Sequence, residues 1–358
     1  MINYLLNKLF YALLTLFGVV TVIFFLFNVL PGDPAQMMLG QTEDSQQLAI
    51  IKQKYGFDKS ISTQYLYYLN DLSPISWHSN SSTDYTFLSP NKYSASELFT
   101  IGKTTTAIKF PYLRESFTKQ GKKVTQVLSE TLPNTFVLAL SAILIAIVIG
   151  ICFGVVSALF KDKWLDKVIQ IFSTLGMSIP SFFSAILFAW FFGYVLHEYT
   201  NLEMTGSLYE LDDFGETITI KWKNLILPAI VLGIRPLAVI IQLMRNSLLE
   251  VFNQDYIRTA RAKGLSEFQI IKRHAIKNSL NPVITAISGW FASMLAGAVF
   301  VEYIFGWNGL GKEIVNALNT LDLPIIMGSV LVIALMFIII NIFVDVIYSW
   351  LDPKVKLN

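Results

Sequence analysis

The run Asn134–Leu159, NTFVLALSAILIAIVIGICFGVVSAL, carries no charged side chain. A helix needs about 20 apolar residues to cross a hydrocarbon core ~30 Å thick, and this run is long enough. Outward from it, further windows of the same kind lie at 9–30, 168–196, 225–246, 283–305 and 325–349. The whole chain is 54% hydrophobic and 15% charged, with a mean hydropathy of +0.54. Soluble domains hold about 25% charged residues. The expected fold is therefore all-α: a polytopic membrane protein with six transmembrane helices, embedded in a lipid bilayer. A net charge of +2, with no basic tract interleaved with aromatics, argues against a nucleic acid partner. Cys152 is the single cysteine, so no intrachain disulfide forms. No Cys/His cluster offers a metal site, and no cofactor is expected.

Short loops rich in Lys and Arg stay on the cytoplasmic side. Lys161, Lys163 and Lys167 lie in one such loop, and Arg258, Arg261, Lys263, Lys272, Arg273 and Lys277 in another, 247–282. The loop 197–224 is acidic, with Glu198, Glu203, Glu210, Asp212, Asp213 and Glu216. Both termini are thus expected in the cytoplasm. The expected organisation is an N-terminal tail and first span at 1–30, a large external segment at 31–133, a transmembrane core of five helices at 134–349, and a cytoplasmic tail at 350–358. The first apolar run is longer than a secretory signal core, so an uncleaved span is expected. Within the external segment, 44–72 reads as helical and 73–111 as an irregular insertion, while 122–132 is amphipathic. Thr217–Trp222 alternates like one strand of a hairpin.

The loop 247–282 is the candidate functional element. Asp255 is expected to cap a short helix, Tyr256 to Lys263, that Gly264 ends in the left-handed conformation. Ser266 and Gln269 fit a capping box opening a second helix, which runs until Pro282 begins the next span. Tyr256, Ile257 and Ala260 supply an apolar patch in a basic surround.

This loop resembles the signature loop of permease subunits in bacterial ATP-binding-cassette importers. Counting back from Gly264, the E-A-A triad of the general motif falls on Arg258, Thr259 and Ala260, of which Ala260 alone is retained, and the closing I-x-L-P is absent. The stretches Arg258 to Leu265, and Arg273, His274, Ala275, Asn278 and Pro282, resemble the peptide and nickel branch instead. So do Phe17-Gly18-Val19 with Leu30-Pro31-Gly32-Asp33-Pro34, Ser178-Ile179-Pro180-Ser181-Phe182, Phe305 to Lys312, and Leu351-Asp352-Pro353. The chain is similar to the oligopeptide/dipeptide permease family, in the subunit type with the long first span. The resemblance implies a second homologous permease subunit, two cytoplasmic ATPase subunits and an external substrate-binding protein, in the inner membrane of a bacterium. It implies a non-enzymatic subunit whose coupling helix sits in a groove of one ATPase, with Asp255, Tyr256, Arg258, Thr259, Ala260, Arg261, Lys263, Gly264, Arg273 and His274 in the coupling loop. Peptides are the implied cargo; nickel chelates and glutathione are served by relatives.

Two other features stand out. Gly306 to Glu313 follows a phosphate-binding loop except that Glu313 replaces the required Ser or Thr, so a glycine-rich turn is expected rather than a nucleotide site. Arg235 sits ~15 Å into the fourth span, where an arginine costs at least ~2.5 kcal/mol and faces a cavity or a partner. It either pairs with an acid such as Asp345 or another subunit, or lines the translocation pathway with Pro180. An ion-driven secondary transporter is the rival class, but that class carries carboxylates at span centres. Here Glu302 and Asp345 lie near span ends.

Overall fold

In hydrocarbon every backbone N–H and C=O must find its partner within the protein, and long helices achieve this. The computed structural model describes residues 2–29, 34–39, 45–212 and 215–351. The chain is mostly helical. Four helices are long and apolar enough to cross a membrane: Asn7–Asn28, Val124–Leu159, Lys223–Phe252 and Leu323–Val344. The windows at 168–196 and 283–305 correspond to bent pairs rather than straight rods. Trp164–Ser178 and Ser181–Val195 meet at 110°, and Glu267–Leu295 and Val299–Phe305 at 55°. The first break falls at Ile179-Pro180, where Pro180 is extended (φ −61°, ψ 139°) and lacks the N–H that would continue the ladder. Pro31 to Asp33 and Asp352-Pro353 lie outside the described residues.

Two compact units are distinguished. In the first, built mainly from Thr131–Val315, the Lys223–Phe252 helix is the axis, with Val231, Ile240, Ile241, Met244 and Leu248 buried. Small residues let a neighbour approach it closely. A Cβ at Gly150 would lie 2.7 Å from Ile240, and one at Gly154 would lie 2.6 Å from Met244. The expected hairpin is present in this unit: Tyr209–Leu211 pairs antiparallel with Ile218–Ile220.

The second unit, Leu5–Glu130 with Asn316–Ala334, corrects the all-helical expectation. Helices Ser45–Tyr55 and Ile61–Leu72 are followed by a three-stranded antiparallel sheet, Ile75–Ser79, Thr104–Lys109 and Ala95–Ile101, with Thr104–Lys109 central. Residues 73–111 are therefore an ordered insertion. Its buried face is polar. Ser76 and His78 point inward, while Ile75 and Trp77 are exposed. His78 joins Ser76 Oγ through Nε2 (2.8 Å) and Thr86 O through Nδ1 (2.9 Å).

Asp71, fully buried, organises this interior. It accepts hydrogen bonds from Tyr85 Oη (2.6 Å), Tyr93 Oη (2.9 Å) and Arg114 Nε (3.0 Å). Lys109 Nζ donates to the Asp71 and Ser73 carbonyls. Burial pushes the Lys92 and Lys109 ammonium groups down to about 8, against the opposing pull of Asp71. Asp322, also buried, accepts from Phe117 N, Thr118 N and the Ser116 and Thr118 hydroxyls, tying 116–118 to the start of the last helix.

Removing the Asp71 carboxylate would leave Arg114 buried without its counter-charge, a loss of ~3–5 kcal/mol. Asp71→Ala is expected to make 73–111 sensitive to limited proteolysis while the spans stay inserted. Trp77→Ser, on the exposed face of the same sheet, is expected to leave the digestion pattern unchanged.

Candidate functional site: a rooted helix, a cationic cavity and a glycine cradle

The short helix of the 247–282 loop runs Asp255–Ala262. Asp255 is its first residue rather than its cap. Gln254 occupies the cap position without a side-chain bond, and Asp255 lies 3.5 Å from Arg258 Nη1. Gly264 has φ +75° and ends the helix as expected. The capping box is formed in both directions: Gln269 N donates to Ser266 Oγ and Ser266 N to Gln269 Oε1. Beyond it the helix does not restart at Pro282. A π-turn, Ile271–Ala275, leads directly into Ile276–Gly297 with Pro282 inside.

The apolar patch divides. Ile257 and Ala260 turn inward, packed with Ala158, Leu248, Val251, Ile270 and Ala275. They anchor the helix to the spans and present nothing outward. The outer face carries Tyr256, Arg258, Thr259, Arg261 and Lys263, joined by Phe268, which is 71% exposed and which sequence reading used only as part of a cap. Arg261 pairs with Glu267 across Gly264 (Nε–Oε1 2.9 Å). Asn278 Nδ2 donates to the Tyr256 hydroxyl (3.2 Å) and to the His274 carbonyl (2.9 Å). Arg273 is exposed on the π-turn beside His274.

The root of this element is an ion pair that sequence reading missed. Arg245 donates from Nε to Asp166 Oδ1 (2.7 Å) and from Nη2 to Oδ2 (2.6 Å). The same carboxylate accepts from the Ser157 hydroxyl and from Asp162 N (2.9 Å). A bidentate guanidinium–carboxylate pair fixes direction as well as distance. Here it locks the end of Val124–Leu159, the turn after it, the start of Trp164–Ser178 and the Lys223–Phe252 helix together, one turn before Leu248. Lone Asp and Arg residues at opposite ends of separate windows carry no signal of this pairing.

Arg235 lines a cavity of about 90 Å³ with Gly176, Ile179, Ser181, Ser184 and Trp290. Among the described residues its guanidinium has no hydrogen bond and no ion pair. The side chain of Asp345, the acid considered as its partner, lies outside the described residues. Pro180 stands at the bend whose neighbours Ile179 and Ser181 form the cavity wall.

The glycine-rich turn holds an anion, but one of the chain's own. Glu302 is fully buried, and its Oε2 accepts from Gly311 N (2.6 Å) and Lys312 N (3.3 Å) at the start of helix Leu310–Asn319. Backbone N–H groups at a helix start favour negative charge. Trp307, fully buried, donates from Nε1 to Asn134 O (3.0 Å), and Asn134 Nδ2 returns a bond to Asn308 O (2.7 Å). The likeness to a phosphate-binding loop thus reflects the same backbone physics with an internal carboxylate in place of a nucleotide.

The short basic helix is rooted on apolar spans through Ile257 and Ala260. Residues 150–357 match the model of the binding-protein-dependent transport system inner membrane component, and residues 1–81 match the N-terminal model of such membrane components. The dipeptide transport system permease protein DppB of Alkalihalophilus pseudofirmus is 32% identical, covering 99% of this chain and 100% of the relative. A putative peptide permease protein of Brucella suis is 31% identical over the full length of both chains. The glutathione transport system permease protein GsiC of Salmonella choleraesuis is 28% identical over 99% of each. The chain belongs to the family of inner membrane components of binding-protein-dependent transport systems, as a permease subunit. The ion-driven secondary transporter is set aside.

The Glu302 cradle makes a graded prediction. A Cβ at Gly311 would lie 2.5 Å from Val299 Cα, a backbone atom that cannot move aside, whereas Gly289 has nothing within 4 Å. Overpacking of this kind costs ~1–3 kcal/mol. Gly311→Ala is expected to lower the thermal midpoint and folded yield of the purified protein, and Gly289→Ala to leave both unchanged.

Proposed function

We propose that this chain forms half of a translocation pathway for short peptides in an ATP-binding-cassette importer. In this reading six spans cross the inner membrane of a bacterium with both termini in the cytoplasm. The four straight helices and two bent pairs supply them. A second homologous permease subunit completes the pathway, two cytoplasmic ATPase subunits drive it, and an external binding protein delivers cargo. The observation that carries the proposal is the Asp255–Ala262 helix, held from within by Ile257 and Ala260 while its outer face stays basic and exposed.

Closure of an ATP-loaded ATPase dimer would pull the two coupling helices together. A helix buried along one side and clamped at its base passes that displacement to the spans, whereas a loose loop absorbs it. Peptide cargo is supported by the dipeptide and peptide names of similar permeases; glutathione, named for another relative, is itself a peptide carrying carboxylates. Arg235, unpaired among the described residues and beside a cavity, suits a pathway wall that meets a cargo carboxylate.

At Gly264 a Cβ would meet nothing within 4 Å, so the constraint is φ rather than space. A β-branched residue in the left-handed region is strained by ~1–2 kcal/mol, while Asn tolerates it. Gly264→Val is expected to keep ATP hydrolysis in the assembled transporter but lose peptide uptake; Gly264→Asn is expected to keep both. Wild-type uptake by Gly264→Val refutes the coupling role.

Arg235→Gln is expected to slow uptake of a free-carboxylate dipeptide severalfold more than uptake of its amide, measured in proteoliposomes with the full complex. Equal slowing of the two removes Arg235 from cargo recognition.

A further inference from the structure

The insertion encloses a cavity of about 380 Å³, within the size range of small-molecule sites. One wall is an aromatic corner. Tyr55 stacks on Phe57 with ring centroids 5.9 Å apart, and Phe117 meets Phe57 edge-on, also at 5.9 Å. Arg114 forms the floor. Its Nε is bonded to Asp71, but its terminal nitrogens make no hydrogen bond among the described residues. Arg114 is also held at φ +68°, a conformation a non-glycine residue keeps only when its surroundings impose it, and one that concentrates at binding sites. Glu115, next in the chain, also lines the cavity. Its carboxylate accepts no hydrogen bond and joins no ion pair among the described residues.

The cavity thus offers the terminal nitrogens of an Arg114 already paired through Nε with Asp71, and the Glu115 carboxylate, beside an apolar wall, with Lys54, Asp84 and Lys92 also in its lining. A purely anionic ligand would leave Glu115 opposed to it, and a purely apolar one would leave both charges desolvated at a cost. A zwitterion with an apolar side chain satisfies all three features. Lys92, whose ammonium is committed to the Tyr85 carbonyl (2.7 Å) and the Tyr85 ring, lines the same cavity and interacts with both Arg114 and Glu115. The same Arg114, Phe57 and Phe117 form one side of a smaller cavity of about 40 Å³ whose other side is Phe24, Asn28 and Met327. The ligand wall is thereby in contact with residues of the first and last long helices of this unit.

We propose that this unit carries, beside residues 82–92 of the insertion, a binding site for a short zwitterionic peptide, its carboxylate on Arg114, its ammonium on Glu115 and an apolar side chain against Tyr55, Phe57 and Phe117. The ligand class rests on the proposed peptide cargo. The site is distinct from the cavity beside Arg235 and would hold peptide independently of the delivering protein.

The test is equilibrium binding of radiolabelled Ala-Phe to the permease complex in lipid nanodiscs without the external binding protein. Saturable binding is expected, weakened about tenfold or more by C-terminal amidation and similarly by N-acetylation, as loss of one charged hydrogen bond predicts. Arg114→Gln risks unfolding the Asp71 cluster, so Glu115→Gln carries the test. It is expected to weaken Ala-Phe about tenfold while leaving the weak binding of N-acetyl-Ala-Phe unchanged. Absence of saturable binding, equal binding of the amide, or no effect of Glu115→Gln overturns the site. Uptake of Ala-Phe supplied with the binding protein is measured in parallel. If uptake persists where binding is absent, the insertion site fails and the importer function stands; if both are absent, the peptide reading fails with it.

Discussion

The bidentate pair between Asp166 and Arg245 sets the base on which the short basic helix Asp255–Ala262 stands. Two charges leave water at the end of an apolar bundle, and a buried pair of this kind is tolerable only when nearly every donor and acceptor is used. Ser157 and Asp162 supply the remaining bonds to the carboxylate. Four backbone segments are thereby held in one relative orientation. Ala158, Leu248 and Val251, next along the same segments, then form the floor that receives Ile257 and Ala260. The fixed placement of the short helix comes from this sequence of contacts and not from the helix itself, which at its length is only marginally stable alone.

A second carboxylate illustrates how the fold manages charge. Glu302 is withdrawn from water, its Oε2 held by backbone N–H groups at a helix start, in a cradle that only glycine at 309 and 311 leaves open. Its surroundings are braced by Trp307 and Asn134, whose mutual bonds join residues far apart in the chain. Asp166 and Glu302 are thus held within the structure, whereas Arg235, beside its cavity, has no hydrogen bond or ion pair among the described residues. The insertion of the other unit follows the same logic with Asp71 at its centre.

The spans, the left-handed glycine at 264, the Ser266–Gln269 capping box and the 209–220 hairpin were all legible in the sequence. Each depends on apolar length or on interactions between residues a few positions apart. The sheet within 73–111 was not legible, because its buried side is lined by Ser76, His78, Thr105 and Thr106 while Ile75, Trp77 and Phe99 face outward; alternation read as hydrophobic-inward finds no strand there. The 110° break at Pro180 was hidden inside a continuous apolar run, since hydropathy averages over direction. What the sequence determined by itself is a polytopic membrane protein with a basic loop ended by a left-handed glycine, because bilayer thickness and local capping are read along the chain; the permease reading came from the family resemblance. Which face of that loop is anchored, which arginine is paired and which is free, and which carboxylate fills the glycine-rich turn were decided by the tertiary structure alone, because each depends on side chains separated by tens or hundreds of residues meeting at hydrogen-bond distance.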